Sequence, residues 1–336
     1  MDKYWQPKSI ELTYHTGMVE SYFLKLNEPT GKWAVWIKYT YLLRNLRHHP
    51  MGDCWVIFFD REKRTGQAVS AWKESYDIQG TASARASEIS FGPNLLTQGI
   101  SSGFLNGGRV QWKISFTPET PPLALLPGAF YSSAMPTSKS TSPYPLAKAS
   151  GEFCIGDHTF SFDRYPLLLG HNWGRKHTRS YVWGQAQQKT DNGLFLFEGT
   201  SLPVEFTNGP TTPAADPRLS IARVRLGDQE LYFNGPGSWL KNKAQASLGE
   251  WRFQFANRRH RLSGELTWDR DLVAGLRYIQ PSGNVLSCLN SMMANAHFEL
   301  VRKGKREKIL ADVRIDHAAA LEFLMPHFDH GIPVLV

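Results

Sequence analysis

Short runs of aromatic and β-branched residues recur along the chain at intervals of roughly ten to twenty residues, as antiparallel strands do. Early examples are ESYFLKLN at 20–27, WAVWIKYTYLL at 33–43 and WVIFFD at 55–60. Several of these runs alternate between apolar and polar positions, which is the period of a strand with one buried face. The pattern predicts an all-β chain built from antiparallel strands.

Glycine-containing pairs that favour tight hairpin turns separate many of these runs. They occur at 106–108 (NGG), 156–157 (GD), 191–193 (DNG) and 227–228 (GD). The segment DHAAALEF, Asp316–Phe323, differs because it is rich in helix formers and begins with a residue that can cap a helix. It predicts one short helix near the C-terminus.

A chain of 336 residues is long enough for two domains of ordinary size. We place the boundary near residue 185, which gives an N-terminal domain at 1–185 and a C-terminal domain at 186–336. A segment rich in Pro, Ser, Thr and Ala at 117–149 interrupts the first half, and its part at 136–144 is predicted to be a mobile flap. A second Pro- and Thr-rich loop is predicted at 207–217.

The net charge of +8 permits contact with anionic partners. The two densest basic runs, at 258–261 and 302–308, are expected to be solvated hairpin turns. No nucleic-acid-binding motif accompanies them, so the sequence predicts no nucleic-acid partner. Weak attraction of anionic ligands, or peripheral contact with a membrane surface, remains an open interpretation.

Three cysteines that are far apart in sequence do not form a disulfide framework, which fits a reducing compartment. The N-terminus lacks the charged and apolar regions of a signal peptide, and no apolar run has the length of a membrane span. The sequence therefore predicts a cytoplasmic protein, and it leaves the oligomeric state open.

Titratable and aromatic residues are concentrated at 170–198. His171 and Trp173 are two residues apart, so in an extended strand they share a face. Burial against an aromatic wall lowers the pKa of a histidine and raises that of a carboxyl group. Either shift favours general acid or base catalysis near neutral pH.

Glu198 ends an apolar run at 194–197, and this position predicts a desolvated carboxyl group. A carboxylic acid that stays protonated in such surroundings can protonate an alkene or a carbonyl oxygen. Tyr181 and Trp183 alternate as in a strand, and their π faces can stabilise a developing cation. The set suits acid-initiated chemistry on an apolar, unsaturated molecule.

Each of these residues also has a structural interpretation. The pair 171–172 could hold two domains together by hydrogen bonds, and the tryptophans could belong to the core. Glu198 could be an exposed carboxylate that is paired with Arg175 or Arg179. These alternatives stay open on the sequence alone.

The sequence predicts no metal and no cofactor. His171 and His177 lack the spacing of a metal-binding helix, and His177 is expected at the surface. The C-terminal His327, Asp329 and His330 could form a ligand set, but no second cluster accompanies them. Motifs for nucleotide phosphates and the nucleophile elbow of hydrolases are absent from the sequence.

The GHNWG core at 170–174, followed by Tyr181, Trp183, Gln185 and the turn at 191–193, resembles the lipocalin-like superfamily of carotenoid 1,2-hydratases. Tocopherol cyclases and fungal decalin-forming pericyclases are similar in architecture. The resemblance implies two tandem lipocalin-like antiparallel β-barrels or sandwiches, with an apolar cavity in one of them or between them. It also implies chemistry that needs no cofactor.

The resemblance implies that His171 and Trp173 belong to the site. Where the family has a later Tyr and Asp, this sequence has Glu198 and Thr200. The expected function is that of a hydratase, cyclase or isomerase for an apolar polyene or isoprenoid-like metabolite, and the alternative is a non-catalytic carrier of lipid or hydrophobic metabolite. The predicted catalytic residues are Glu198 as proton donor and His171 as its alternative, and the predicted substrate-binding residues are Asn172, Trp173, Tyr181, Trp183 and Gln185.

Overall fold

The computed structural model describes residues 2–8, 17–44, 49–63, 67–78, 82–85, 88–203, 219–326 and 329–336. The predicted loop at 207–217 and the predicted metal ligand His327 lie outside these residues. Everything below concerns the described part of the chain.

The first half of the chain forms one antiparallel sheet with the strand order β4-β3-β2-β1-β12-β11-β9-β8-β7-β6-β5, and β10 pairs with β11 beside it. The long strands β11 and β12 form a hairpin at its centre. The strands are β1 Met18–Asn27, β2 Trp33–Leu43, β3 Met51–Asp60, β4 Val69–Asp77, β5 Ala82–Arg85, β6 Glu88–Phe91, β7 Asn94–Thr97, β8 Ile100–Leu105, β9 Val110–Pro118, β10 Leu123–Ala124, β11 Ser138–Ile155 and β12 His158–Gly174.

The second half repeats this plan, with the strand order β16-β15-β14-β13-β22-β21-β19-β18-β17 and with β20 paired to β21. Its central hairpin is made by the long strands β21 and β22. The strands are β13 Tyr181–Thr190, β14 Gly193–Leu202, β15 Leu219–Leu226, β16 Gln229–Tyr232, β17 Lys243–Ser247, β18 Glu250–Ala256, β19 His260–Thr267, β20 Ala274–Ile279, β21 Val285–Arg302 and β22 Lys308–Pro326.

Helices are short in the described residues. The α-helices are α1 Asp2–Trp5 and α2 Pro236–Trp239, and 3₁₀ turns occur at Asn106–Gly108, Gly128–Tyr131 and Arg270–Leu272. The all-β prediction is confirmed, but the predicted helix Asp316–Phe323 is wrong because these residues belong to β22. Pairing with β13 on one side and β21 on the other outweighs the helix propensity of its alanines.

The loops agree with the sequence at the hairpins and disagree at the flap. The four turns predicted at 106–108, 156–157, 191–193 and 227–228 each connect two paired strands. The segment at 136–144 does not form a flap: from Ser138 onward it is strand β11, which pairs with β12. The polar composition that predicted a flap reflects the half-buried start of this strand.

Each sheet surrounds its own hydrophobic core, and a third core lies between the two sheets. Along β1, Tyr22, Leu24 and Leu26 join the first sheet's core, while Phe23 joins the third. Along β22, Phe323 joins the second sheet's core, and Leu324 joins the third. Because successive side chains of a strand point to opposite faces, both central hairpins present one face inward and one face to the other sheet.

The first sheet ends with β12 at Gly174, and the second begins with β13 at Tyr181. The boundary predicted near residue 185 falls inside β13. The division into domains at 1–185 and 186–336 stays a prediction. No helix in the described residues has the length and apolarity needed to cross a membrane.

Candidate active site

The outer faces of the two sheets enclose a cavity of about 170 Å³, which we name the inter-sheet cavity. One wall comes from β1, β2, β11 and β12, and the other from β13, β14, β15, β20 and β22. Its lining residues are Ser21, Phe23, Trp36, Lys38, Leu125, Leu126, Pro136, Ser138, Lys139, Ser140, Thr141, Asn172, His177, Thr178, Tyr181, Trp183, Glu198, Thr200, Leu202, Leu219, Ile221, Tyr278 and Glu322.

Glu198 reaches the cavity from β14, where Phe197 before it points into the second sheet's core. Its side chain is only 2% exposed. Ser142 Oγ donates to Glu198 Oε2 at 2.8 Å, and the Trp183 indole N–H donates to Oε1 at 3.3 Å. The sequence-based alternative of an exposed Glu198 paired with Arg175 or Arg179 is therefore wrong.

Burial raises the pKa of the Glu198 carboxyl, because desolvation disfavours its charged form. The hydrogen bonds from Ser142 and Trp183 and the charge of Arg223 act in the opposite direction without cancelling this effect. A buried carboxyl group of this kind can hold a proton and deliver it to a guest in the cavity.

Aromatic rings form much of the apolar lining. Phe23 meets Trp183 edge to face, with ring centroids 5.7 Å apart, and lies 6.4 Å from Trp36. Gly170 permits this arrangement, since a Cβ there would stand 2.2 Å from the Phe23 ring. The motif glycine that precedes His171 therefore shapes the wall of the cavity.

A second group of titratable side chains lines another part of the cavity. Tyr181 Oη donates to Glu322, which also accepts a hydrogen bond of 2.6 Å from Asn290 Nδ2. The Lys38 ammonium lies 3.7 Å from the centroid of the Tyr278 ring, and the His177 ring stacks on Tyr278 at 5.3 Å.

Burial shifts the pKa values of this second group toward the uncharged forms. It lowers the pKa of Lys38 to about 8 and that of His177 to about 3, where the charge of Lys38 adds to the effect of burial. It raises the pKa of Tyr181 and Tyr278. His177 is expected at the surface from the sequence, but the structure places it half-buried at the cavity, with its ring stacked on Tyr278.

Successive residues of the HNWG motif point to opposite sides of β12. Asn172 lines the inter-sheet cavity, while His171 and Trp173 point into the first half of the molecule, opposite Tyr22 and Glu20 in the β1 register. His171 Nε2 lies 2.7 Å from Glu20 Oε1, and Nδ1 lies 3.0 Å from the Tyr4 carbonyl oxygen.

The His171 ring is also stacked between two aromatic side chains, with centroids 4.0 Å from Tyr22 and 4.6 Å from Trp173. Tyr22 Oη in turn donates to the Trp5 carbonyl at 2.6 Å. This network fastens α1 to the first sheet, and His171 is fully buried within it. These contacts give His171 a structural role within the first sheet, not between two domains as the structural interpretation had it, and they separate it from the inter-sheet cavity.

Gln185 is also buried away from the cavity lining. Its side-chain oxygen accepts a hydrogen bond of 3.2 Å from Lys25 Nζ, which donates as well to the Ala318 carbonyl at 2.7 Å. The structure thus brings four of the predicted site residues to the cavity and places three elsewhere. Glu198, Asn172, Tyr181 and Trp183 line it, whereas His171, Trp173 and Gln185 do not.

Two buried polar atoms of the lining have no hydrogen-bond partner among the described residues, namely Trp36 Nε1 and Thr141 Oγ1. Buried polar groups are normally paired, so these two atoms are exceptions among the lining residues.

A larger groove of about 700 Å³ crosses the exposed face of the second sheet. Its Arg252 is already paired, since it contacts Glu250 at 2.6 Å and Glu265 at 2.9 Å. The inter-sheet cavity, with its buried titratable groups, is the better candidate site.

Within the described ranges, no three His, Cys, Asp or Glu side chains lie close enough together to bind a metal ion. His327 of the C-terminal set lies outside the described residues, and His330 is buried near Ile332.

Comparison of the whole chain with solved structures identifies its architecture. A protein from Nitrosomonas europaea assigned as AttH matches with a TM-score of 0.53 and 12% identity, over 95% of each chain. Kievitone hydratase from Nectria haematococca matches with a TM-score of 0.55 and 11% identity, over 97% of this chain and 92% of that one. CghA matches with a TM-score of 0.53 and 8% identity, over 93% and 89%.

The chain has the tandem lipocalin-like fold. This confirms the architecture that the HNWG resemblance implies, with the cavity between the two halves. No family model matches the sequence, and no curated protein matches it.

Several cavity residues were missed in the sequence, among them Lys38, Tyr278 and Glu322, and so was Ser142, which hydrogen-bonds to Glu198. For Lys38 a signal exists, because it is a charged residue in the middle of the apolar run at 33–43. A lysine in such a run is costly to bury and therefore suggests a special environment. Tyr278 and Glu322 reach the cavity, and Ser142 reaches Glu198, through long-range strand pairing, which no local pattern reveals.

Proposed function

We propose that the protein is a cofactor-independent enzyme of the hydratase, cyclase or isomerase type that acts on an apolar polyene or isoprenoid-like metabolite. The observation that carries the proposal is the Glu198 carboxyl group, which is buried, has a raised pKa and faces an aromatic cavity. The fold is shared with a protein named as a hydratase, which supports the reaction class.

In this mechanism Glu198 donates its proton to a double bond or carbonyl oxygen of the guest. The ring faces of Phe23, Trp36 and Trp183 surround the positive charge that develops, and exclusion of bulk water protects the intermediate. In a hydration one water molecule adds to the cation and returns a proton to the Glu198 carboxylate. In an isomerisation the cation itself loses a proton to this carboxylate, and in a cyclisation it does so after the ring has closed. Ser142 and Trp183 hold the carboxyl group in position throughout.

The size of the cavity limits what it can enclose. An apolar cavity of about 150 Å³ is known to hold benzene, so about 170 Å³ accommodates one ring or one branched isoprenoid unit. The substrate is therefore a small molecule or presents only its reacting end to Glu198.

Turnover in deuterated water tests the proposal. The purified protein is incubated with short isoprenoid alkenes and ketones, and products are analysed by mass spectrometry for deuterium at the protonated carbon. We expect Glu198→Gln to reduce turnover by about 10²–10⁴-fold, because the amide cannot deliver the proton. Glu62→Gln, at an exposed carboxylate, is the matched control and is expected to retain activity.

A product that forms equally well with Glu198→Gln would contradict the assignment of the proton donor. Wild-type protein that co-purifies with an apolar metabolite but converts no member of the panel would favour the carrier instead.

A further inference from the structure

Lys38 occupies an unusual position in the inter-sheet cavity. It lies in the middle of β2, is only 4% exposed, and lines the cavity. Its ammonium lies over the ring of Tyr278 at 3.7 Å and near that of Trp36 at 5.5 Å. Within the described ranges it makes neither a hydrogen bond nor an ion pair.

Buried ammonium groups are normally paired, because an isolated charge is costly to remove from water. Here burial lowers the pKa of Lys38 to about 8, so about a tenth of the amine is neutral and nucleophilic at pH 7 and about half at pH 8. The titratable or charged groups that act on it from the surrounding elements are Glu322 on β22, Cys288 on β21, Asp53 on β3, Lys73 on β4 and His177 before β13.

A second buried lysine shows what a purely structural amine looks like in this fold. Lys25 lies on the neighbouring strand β1 and is 2% exposed, and burial lowers its pKa to about 7. Its amine is occupied by hydrogen bonds to Gln185 and the Ala318 carbonyl, and it does not line the cavity. The two lysines therefore share burial but differ in access to a guest.

We propose that the Lys38 amine is a covalent attachment site that forms a Schiff base with an apolar aldehyde or ketone held in the inter-sheet cavity. The inference rests on the proposed function, because it assigns a carbonyl-bearing substrate class to the same cavity. An aromatic chamber with one unpaired amine selects a guest that is apolar along its body and carries an electrophilic carbonyl carbon.

The reaction balances without an oxidant or reductant. The neutral Lys38 nitrogen attacks the carbonyl carbon, a C–N bond forms, and the carbonyl oxygen takes up the proton that the nitrogen loses. The resulting hydroxyl group is protonated and leaves as water while the C=N bond forms. The Tyr181–Glu322 pair, which lines the same cavity, can relay these protons.

Reductive trapping tests the site directly. The full-length protein is incubated at about pH 8 with benzaldehyde, whose ring fits the cavity, and then with sodium cyanoborohydride. Proteolysis and mass spectrometry locate the lysine that has gained the mass of benzaldehyde less one oxygen atom. We expect Lys38 to be labelled roughly a hundredfold faster than an exposed lysine such as Lys241, because the lowered pKa of Lys38 raises the share of its neutral amine.

Two variants test whether fast labelling requires access to the cavity or only a lowered pKa, which Lys25 and Lys38 share. Lys38→Met is expected to abolish the fast labelling, and Lys25→Met is expected to leave it intact. Circular dichroism and thermal unfolding confirm that each variant is folded. Should labelling be uniform over exposed lysines, occur first at Lys25, or persist unchanged in Lys38→Met, the Schiff-base site would be excluded.

Trapping in Glu198→Gln distinguishes this inference from the proposed function. If that variant is trapped normally while even the wild type shows no turnover, the proposed reaction fails and the Lys38 site stands. If turnover depends on Glu198, is unaffected in Lys38→Met, and no trapping occurs, the Lys38 inference fails alone.

Discussion

Burial acts in opposite directions on the two titratable residues that bring chemistry to the cavity. It raises the pKa of Glu198 on the second sheet and lowers the pKa of Lys38 on the first. Both shifts favour the uncharged form, because desolvation penalises charge of either sign. An apolar guest between the sheets therefore lies between a carboxyl group on one wall and an amine on the other, and burial disfavours the charged form of each.

The raised pKa of Glu198 predicts how this residue affects stability. Its folded-state pKa lies above its unfolded value, so the folded chain binds more protons between the two values and stability falls as pH rises through that window. We expect Glu198→Gln, which cannot ionise, to unfold a few degrees above the wild type at pH values above the window. At about pH 3, below the unfolded-state pKa, the carboxyl group is mostly protonated in both states and the difference is expected to shrink.

Thermal unfolding followed by circular dichroism at both pH values measures this effect. An equal difference at the two pH values would show that ionisation of Glu198 is not its cause. The exposed-site variant Glu62→Gln is the control and is expected to show no such pH dependence.

At this scale the sequence predicted Glu198 well because desolvation by an adjacent apolar run is a local property. It predicted His171 poorly, since the direction of a side chain depends on which face of β12 meets which neighbour. Both the catalytic and the structural interpretation of His171 were compatible with the motif. Only its contacts with Glu20 and Tyr22 distinguish them.

At the scale of elements, β12 divides the HNWG motif between two tasks. Odd-numbered His171 and Trp173 face the network that fastens α1, whereas Asn172 faces the inter-sheet cavity. Gly174 ends the strand where a Cβ would stand 2.3 Å from the Thr137 carbonyl oxygen. One strand thus anchors the N-terminal segment and forms part of the site.

This alternation predicts different outcomes for neighbouring substitutions. We expect His171→Ala to reduce the free energy of unfolding by about 3 kcal/mol, because the buried Glu20 loses its hydrogen bond with the imidazole. Its affinity for a cavity ligand such as benzyl alcohol, followed by tryptophan fluorescence, is expected to stay within about twofold of the wild type.

Asn172→Ala is the matched variant on the opposite face. We expect it to cost less than about 1 kcal/mol, since Asn172 is half-buried, and to alter the affinity for benzyl alcohol. A loss of ligand binding in His171→Ala at unchanged stability would reverse the assignment of the two faces.

The strand β22 shows why local composition does not always predict whether a segment is a helix or a strand. Asp316–Phe323 carries the composition of a helix, yet within it Ala320 and Glu322 face the other sheet while Leu321 and Phe323 face the second core. The strand also has an irregular register with β21, where shifts occur around Ala294. Pairing on both edges decides the outcome, and such pairing depends on residues far away in sequence.

For the whole molecule, the arrangement of the two sheets creates the site. The tandem all-β plan could be predicted from strand spacing and chain length, and the hairpin turns followed from local chemistry. Which faces of the two central hairpins pack against each other could not be predicted, because each hairpin has two faces and both carry apolar residues. The inter-sheet cavity is a product of this packing, and neither sheet contains it alone.

The packing of the sheets also buries two lysines, and this has a consequence for the stability of the whole chain. Lys25 has a folded-state pKa of about 7, below the value of about 10.4 in an unfolded chain. Between these values the unfolded state binds more protons, so the free energy of unfolding rises with pH. Lys38 contributes with the same sign above about pH 8.

Urea denaturation at pH 7 and pH 9 measures this rise as the difference between wild type and Lys25→Met. We expect the wild type to gain about 2 kcal/mol more than the variant between these pH values, because Met carries no charge that must be buried at pH 7. Lys241→Met, at an exposed lysine, is expected to behave as the wild type. A wild type and a Lys25→Met variant with the same pH dependence would mean that the amine between the sheets is not desolvated, and the close contact of the two sheets that forms the cavity would then need revision.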